Sequence, residues 1–167
     1  MKKTLAALAC LVMLTGCSGK NAKIGVGIST GLTKSASASE EGDGKAVTDV
    51  AVAAVTLDSK GKILKLTIDA VQTRVEFDDK GEILSDLEAD VFSKREMGAD
   101  YGLKKSSSLG KEWDEQIAAF EEWAVGKEAA AVLAMTDPSK DETLSTQVDM
   151  DLTPYLKAIE KAVENAK

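Results

Sequence analysis

The chain has 167 residues, of which 28 are acidic and 21 basic, so its formal net charge at pH 7 is −7. This charge repels nucleic acid and anionic lipid headgroups, which argues against direct nucleic-acid binding. The chain contains no histidine, which excludes Ser-His and Cys-His nucleophile pairs, imidazole proton transfer and His-ligated metal sites.

Residues 1–16 have the charge and length pattern of an export signal. Met1-Lys2-Lys3 is positively charged, and an apolar run of about 11 residues extends from Thr4 to Leu14. As a helix this run would extend about 16 Å, roughly half the thickness of a hydrocarbon core, which is too short for a stable membrane span. The sequence therefore predicts a signal peptide that is removed.

The apolar run ends at Leu14-Thr15-Gly16-Cys17, which resembles the lipobox of bacterial lipoproteins. The resemblance implies diacylglycerol on the sulfur of Cys17, cleavage after Gly16 and often a further acyl chain on the new amino group. Two or three chains anchor a protein firmly, since each buried methylene contributes about 0.8 kcal/mol. The alternative is an ordinary secretory signal with an incidental cysteine. The resemblance implies a lipid-anchored protein on the extracytoplasmic face of a cell membrane, the outer membrane in a host with two membranes.

Removal of the signal changes the chemistry that the mature chain offers. Loss of Lys2 and Lys3 leaves 19 basic against 28 acidic residues, a formal charge of −9. Cys10 is lost and Cys17 carries lipid, so no thiol remains for a disulfide, a metal or a nucleophile. Only carboxylate or lysine chemistry is left, which favours a non-enzymatic role.

The mature chain divides into a tether and one domain. Residues 17–45 are predicted to form a lipidated tether, within which residues 24–28 alternate apolar side chains with glycine. This alternation predicts a first strand whose other face carries no side chains and lets a backbone or ligand approach closely. A flexible linker or weak edge strand is the alternative. Residues 46–167 are predicted to form a single domain.

An internal repeat with a spacing of 20 residues predicts an antiparallel meander. Segment 55–64 reappears as 75–84, and each copy has an alternating apolar run followed by an Asp-x-Lys-Gly turn. Asp accepts hydrogen bonds from the turn backbone and Gly takes positive φ, as hairpin loops with a bulge require. Two hairpins that share a strand form a meander. The residues predicted on its covered face between the turns are Leu64, Leu66, Ile68 and Ala70.

Helical patterns follow the strands. Ser93 to Glu96 is a capping box that predicts a short turn ending at Gly98. A longer helix is predicted between Gly110 and Gly126, and another over residues 127–135. The predicted apolar stripe of the longer helix is Trp113, Ile117, Phe120 and Ala124.

The last third of the chain predicts one strand and one helix. Residues 145–152 are expected to return as a strand, with apolar side chains at Val148, Met150 and Leu152. Thr153 as N-cap and Pro154 at the first helical position predict the last helix. Its predicted inward residues are Tyr155, Ile159, Ala162 and Ala166. Strands first and helices mostly afterwards predict an α+β fold, an antiparallel β-meander packed against C-terminal helices.

The basic cluster ahead of the Trp113 helix is the first candidate binding site. Backbone amides at a helix N-terminus, hydroxyls and ammonium groups together suit a phosphate or carboxylate. A solvated loop whose serines cap the helix is the alternative, because no P-loop spacing is present. The cluster consists of Lys104, Lys105, Ser106, Ser107, Ser108 and Lys111.

Large aromatic side chains are candidates for the wall of a ligand pocket beside this cluster. Tyr101 and Trp113 are the two that we assign to the candidate site, with Trp123 and Tyr155 as further wall residues. Such residues also serve as the core or rim of a small domain, with their polar atoms bonded locally. Acidic clusters, such as those at 86–90 and 149–151, lack EF-hand spacing and fit solvated faces better than a metal site.

Two segments carry a resemblance to a known family. Residues 55–69, with their Asp-x-Lys-Gly-Lys-Ile turn, and residues 157–163 are similar to the opening hairpin and closing helix of FMN-binding domains in bacterial surface flavoproteins. Members are often lipoproteins that pass electrons outside the cell through a covalently attached flavin. The family's flavin-linking Ser-Gly-Ala-Thr segment is absent, because residues 150–154 read Met-Asp-Leu-Thr-Pro and contain Thr153 as the sole hydroxyl. The resemblance therefore implies a relative without covalent flavin, which binds FMN or another ligand non-covalently or binds none.

Three functional hypotheses follow. The first is a non-enzymatic, membrane-anchored lipoprotein whose domain binds a small anionic or flavin-like ligand or acts as an accessory. The second is an FMN-binding-like redox accessory protein of extracellular electron transfer. The third is a hydrolase of envelope polymers that uses a carboxylate pair. A purely structural or partner-binding role is a further alternative.

Overall fold

The computed structural model describes residues 22–167. The predicted signal peptide, the lipobox and Cys17 lie outside the described residues. Within this range, no helix is both long enough and apolar enough to cross a membrane. The main elements are β1 (Lys23–Gly31), β2 (Gly44–Leu57), β3 (Ile63–Phe77), α1 (Lys94–Met97), α2 (Trp113–Ala124), α3 (Ala129–Leu133) and α4 (Thr153–Glu164).

The three strands form an antiparallel sheet in the order β1-β2-β3, and the helices pack on one face of it. Helix α4 lies over β1 and β2, and α2 lies over β3. The core is the layer between them, where Val55, Ile68, Phe120 and Ile159 are at most 1% exposed. The predicted α+β class, a meander packed against C-terminal helices, is confirmed.

Both Asp-x-Lys-Gly turns have the predicted geometry. Asp58 Oδ1 accepts the amides of Lys60 and Lys62 at 2.8 and 2.9 Å, and Gly61 has φ 83°. Asp78 repeats this arrangement, and Gly81 has φ 84°. The first turn joins β2 to β3.

The second turn does not lead into a strand, so the predicted second hairpin is wrong. The turn is followed by an isolated bridge between Phe77 and Ile83, a bond from the Leu84 amide to the Glu76 carbonyl, and a 2.8 Å bond from the Glu76 amide to Ser85 Oγ. The next residues, 86–91, alternate acidic with apolar side chains, as a strand would. Leu87 and Val91 are nevertheless 63% and 55% exposed, so this alternation does not place the segment on the sheet. The meander is completed instead by β1, which pairs with β2 along its whole length.

One predicted core position, Leu64, is wrong. The register between β2 and β3 shifts at Thr56/Leu57, where Leu57 pairs with Ile63. This irregularity changes the side-chain direction locally. Ile63 is therefore fully buried, while Leu64 is 42% exposed. Leu66, Ile68 and Ala70 are buried as predicted.

The glycines of β1 allow α4 to lie directly on the strand backbone. A Cβ added at Gly25 would come within 2.8 Å of the Ala166 nitrogen, and one added at Gly27 would come within 2.8 Å of the Lys161 Cβ. Carbonyl oxygens of α4, those of Ala162 and Ala158, would lie closer still. The alternation of glycine in this strand is therefore a packing requirement for a helix backbone.

The helix predictions agree with the structure in most places. The capping box at Ser93 is formed, and α1 ends at Gly98. The whole predicted stripe of α2 is buried. Helix α3 is shorter than predicted, and α4 is capped by Leu152 with Thr153 already inside the helix, a shift within the usual uncertainty of helix ends.

The predicted strand over 145–152 is wrong. Residues 144–146 form a short 3₁₀ turn and the remainder is irregular, although Val148 and Leu152 are buried. The backbone of this segment is bonded to a buried side chain and not to a neighbouring strand. Its amides at Asp149 and Met150 donate instead to the side-chain oxygen of Gln116, at 2.9 and 3.1 Å.

Candidate functional site

A cavity of about 430 Å³ lies where β1 ends and α4 begins, within the usual size range of small-molecule sites. Its floor is the sheet, represented by Ser29, Ala51 and Ala70, and its walls come from α1, the start of α2 and the segment that leads into α4. The side chains most relevant to binding are Lys34, Asp49, Lys94, Tyr101, Trp113, Met150, Asp151, Thr153, Tyr155 and Lys157.

Lys94 is the central charged group of the cavity. It is the first residue of α1, directly after the capping serine. Its ammonium nitrogen lies 4.6 Å from the ring centroid of Tyr101, 5.5 Å from that of Trp113 and 3.5 Å from Tyr155 Oη. In residues 22–167 no carboxylate lies within 4.0 Å of it. Aromatic rings stabilise this half-buried ammonium group but do not neutralise its charge, so the charge remains available to an anionic ligand.

The protonation state of Lys94 follows from these neighbours. Burial acts to lower the pKa of its ammonium group, but the oxygen atoms of Tyr155 and Tyr101 outweigh burial, so the pKa is raised above its ordinary value. Lys94 is therefore cationic at neutral pH. It can attract an anion but does not serve as a base or nucleophile at that pH.

Tyr155 offers a hydrogen-bond donor to the cavity. The Trp113 indole Nε1–H donates to Tyr155 Oη at 2.7 Å, and the Lys94 ammonium donates to the same oxygen. Within the described part of the chain, the phenolic hydrogen itself has no acceptor. Because a buried hydroxyl normally donates as well as accepts, this hydrogen is available to an acceptor atom of a ligand.

The remaining charges make the cavity weakly positive. It is lined by three lysines, Lys34, Lys94 and Lys157, against two aspartates, Asp49 and Asp151. Burial acts to raise the pKa of Asp49, but hydrogen bonds from Gln72 and Lys34 outweigh it and lower the pKa. Asp49 is thus ionised and paired with Lys34 at 3.0 Å. Lys94 and Lys157 are left facing the cavity without such a pair in the described residues.

The predicted basic loop, residues 104–111, binds a carboxylate of its own chain. The hydroxyls of Ser107 and Ser108 donate to the Asp149 carboxylate at 2.9 and 2.7 Å. The backbone amide of Leu109 and the side-chain amide of Gln116 donate to the same carboxylate at 3.1 and 2.8 Å. Asp149 is therefore the anion that these donors bind. The hydroxyls of Ser107 and Ser108 connect the loop to the segment before α4 and do not line the cavity.

These bonds predict an acid-sensitive contribution to stability. Burial acts to raise the pKa of Asp149, but the four bonds outweigh it and lower the pKa from 3.8 to about 2. A lowered folded-state pKa stabilises the fold above about pH 4, and this contribution is lost as pH falls from about 4 to about 2. We expect Asp149→Ala to lose less stability than the wild type over that interval, measured by urea unfolding. Ser108→Ala removes one donor, so its loss of stability over this interval should be intermediate between those of the wild type and Asp149→Ala. Parallel curves of stability against pH for the three proteins would show that Asp149 is not the titrating group.

The structure brings together some of the predicted site residues and separates others. Tyr101 and Trp113 line the cavity with Tyr155. Trp123 lies elsewhere, stacked on Phe120 at 5.7 Å and bonded to Asp141. The side chains of Lys104, Lys105 and Ser106 are exposed, and Lys111 Nζ donates to Gln147.

Sequence reasoning does not find Lys94, although the capping box at Ser93 contains it. The capping box indicates a helix start, and nothing in its spacing indicates three aromatic rings around its second residue. No group of acidic residues within the range 22–167 is arranged to hold a metal ion.

Comparison with known proteins gives one partial similarity. No protein-family model matches the chain, and no solved structure matches it. A chlorophenol reductase from Desulfitobacterium hafniense is 32% identical over 120 residues, which cover 65% of this chain and 36% of that protein. The chain thus spans little more than a third of the length of this curated relative and is similar to part of it.

Proposed function

We propose that this protein is a lipid-anchored, extracytoplasmic domain that binds a flat anionic ligand without chemically transforming it. The observation that carries the proposal is the Lys94 ammonium group, held by the rings of Tyr101 and Trp113 at the wall of a 430 Å³ cavity. Aromatic walls suit a planar ring, and an unpaired cation suits a phosphate or carboxylate. The anchor is proposed from the lipobox at Cys17.

FMN is the ligand that the family resemblance implies, and the residues of the cavity fit its non-covalent binding. Lys94 and Lys157 would attract the phosphate, together with the N-terminal end of α4 at Thr153. Tyr155, whose Oη lies 3.5 Å from Lys94 Nζ, would donate to an oxygen of the same phosphate. A bound flavin would supply one- and two-electron redox chemistry.

A redox accessory protein is the second candidate, and one specific observation favours it. The relative with 32% identity is named as a chlorophenol reductase, so part of this sequence resembles a protein that performs a reduction. Under this proposal the cavity holds flavin as an electron carrier. The first candidate requires only that the ligand binds.

Both candidates are tested on protein purified in native form from membranes. We expect intact mass spectrometry to show cleavage after Gly16 with acyl chains on Cys17, and added FMN to lose fluorescence on binding. Lys94→Met keeps the side-chain length but removes the charge. It should raise the FMN dissociation constant roughly 10- to 100-fold, because one charge-assisted hydrogen bond to the ligand is lost.

The double variant Lys104→Ala/Lys105→Ala is the matched control, because it removes two exposed charges outside the cavity. It should bind FMN as the wild type does. The reverse result, loss of binding in the double variant but not in Lys94→Met, would move the site to the loop. A colourless protein that does not quench FMN would exclude flavin, and an unmodified Cys17 would exclude the anchor. Flavin that is reduced and reoxidised in the bound state would favour the redox candidate.

A further inference from the structure

The face of the sheet opposite the helices carries an apolar stripe on β1. At Gly25 and Gly27 an added Cβ would meet α4, so the side chains between and beside these glycines lie on the other face of the sheet, here called the open face. These are Ile24, Val26 and Ile28, which are 64%, 51% and 51% exposed. Val26 lies opposite Ala54 and Ile28 opposite Val52 on the neighbouring strand, which extends the apolar surface onto β2. Three exposed branched side chains in one row mark a contact surface.

The edge of β1 is closed to another strand. The carbonyls of Val26 and Ile28 accept from Asn165 Nδ2 at 3.1 Å and Lys161 Nζ at 2.8 Å, and Ile24 exchanges two backbone bonds with Lys167. A partner strand would need these backbone groups. Any contact with the stripe is therefore made through the face of the sheet.

The length of chain before β1 limits where this face can lie. Cys17 is six positions before Lys23. At no more than about 3.6 Å per residue, the connection reaches about 22 Å at most. A lipid on Cys17 therefore keeps the start of β1, and with it Ile24, close to the surface of the bilayer.

We propose that the open face of β1 rests on the lipid surface, with Ile24, Val26 and Ile28 in the headgroup region. This inference rests on the proposed lipid anchor. Lys23 and Lys65 are exposed at the end of the sheet nearest Cys17, and Lys65 lies on the open face, in register with Thr56 and Ile24. Their ammonium groups can bind lipid phosphates there.

A lipid surface fits the stripe better than a second copy of the chain. A stable dimer buries about 800 Å² on each partner, more than three half-exposed side chains supply. A contact with the membrane needs less area, because the anchor keeps the face at a high effective concentration beside the lipid.

The absence of free thiols in the mature chain makes a direct test feasible. Val26→Cys introduces a single reactive thiol on the open face, and Glu160→Cys places the matched control on the exposed side of α4, beyond the opposite face of the sheet. Each lipidated full-length product is labelled with a polarity-sensitive fluorophore and reconstituted into phosphatidylcholine vesicles. We expect a blue shift and quenching by spin-labelled lipid at residue 26, with neither effect at residue 160.

Three other outcomes would overturn the proposal in distinguishable ways. If the protein floats with the vesicles but neither label responds, the anchor stands and the proposed orientation is wrong. If residue 26 shifts without quenching by lipid, and the shift grows with protein density, the stripe contacts a second copy. If the wild type does not float with vesicles, the anchor fails and the orientation fails with it.

Discussion

Gly27→Ala is expected to destabilise the protein by about 3 kcal/mol, the upper part of the range for an overpacked core. The added methyl group would lie within 2.8 Å of the Lys161 Cβ and closer to backbone atoms of Ala158 and Ala162. Backbone atoms of a helix cannot rotate away as a side-chain end does. Helix α4 must therefore move off the strand, which opens its contacts with both β1 and β2. Urea unfolding followed by far-UV circular dichroism measures the loss.

Gly31→Ala is the matched control for this prediction. It adds the same methyl group to the same strand, where nothing lies within 4 Å of the new Cβ. Alanine is favoured over glycine in an extended strand by roughly 0.5–1 kcal/mol, so this variant should be as stable as the wild type or slightly more stable. Equal destabilisation by the two variants would show that flexibility of β1, and not its contact with α4, explains the glycines.

Gln116→Leu is the second variant with a large expected effect, a loss of about 2–3 kcal/mol in unfolding free energy. The side chain is fully buried. Its oxygen accepts the amides of Asp149 and Met150, and its nitrogen donates to Asp149. Leucine has a similar size but satisfies none of these groups, and an unsatisfied buried donor costs about 1–3 kcal/mol.

The effect of Gln116→Leu should extend to the cavity. The segment that Gln116 holds continues into Met150, Asp151 and Thr153, which line the cavity wall. We therefore expect weaker FMN binding together with faster hydrogen exchange at the amides of Asp149 and Met150, measured by NMR or mass spectrometry.

Gln147→Leu is the control for the effect of losing an amide side chain. Gln147 is only partly buried and accepts a single hydrogen bond, from Lys111. Its replacement should cost less than about 1 kcal/mol. If Gln116→Leu costs no more than this control, the two backbone amides are satisfied in another way, and Gln116 does not connect α2 to the segment before α4.

The candidate site was only partly predictable. Tyr101 and Trp113 are predictable because large aromatic residues are few in this chain, and both line the cavity. The basic loop is recognisable from its composition, but composition does not reveal that Asp149, about 40 residues later in the chain, accepts hydrogen bonds from its hydroxyls. Lys94 is not predictable from the sequence, because its role depends on aromatic rings contributed by three separate segments.

The sequence by itself determined the features that depend on neighbouring residues. The Asp-x-Lys-Gly turns, the capping box at Ser93, the buried stripe of α2 and the α+β class all follow from patterns a few residues long, because turn chemistry and helical periodicity are local. Tertiary structure alone decided that β1 completes the sheet, that residues 145–152 bond to Gln116 instead of a strand, and that Lys94 faces a cavity. Each of these depends on which distant surfaces meet, and the pattern within one segment does not reveal which other segment it contacts.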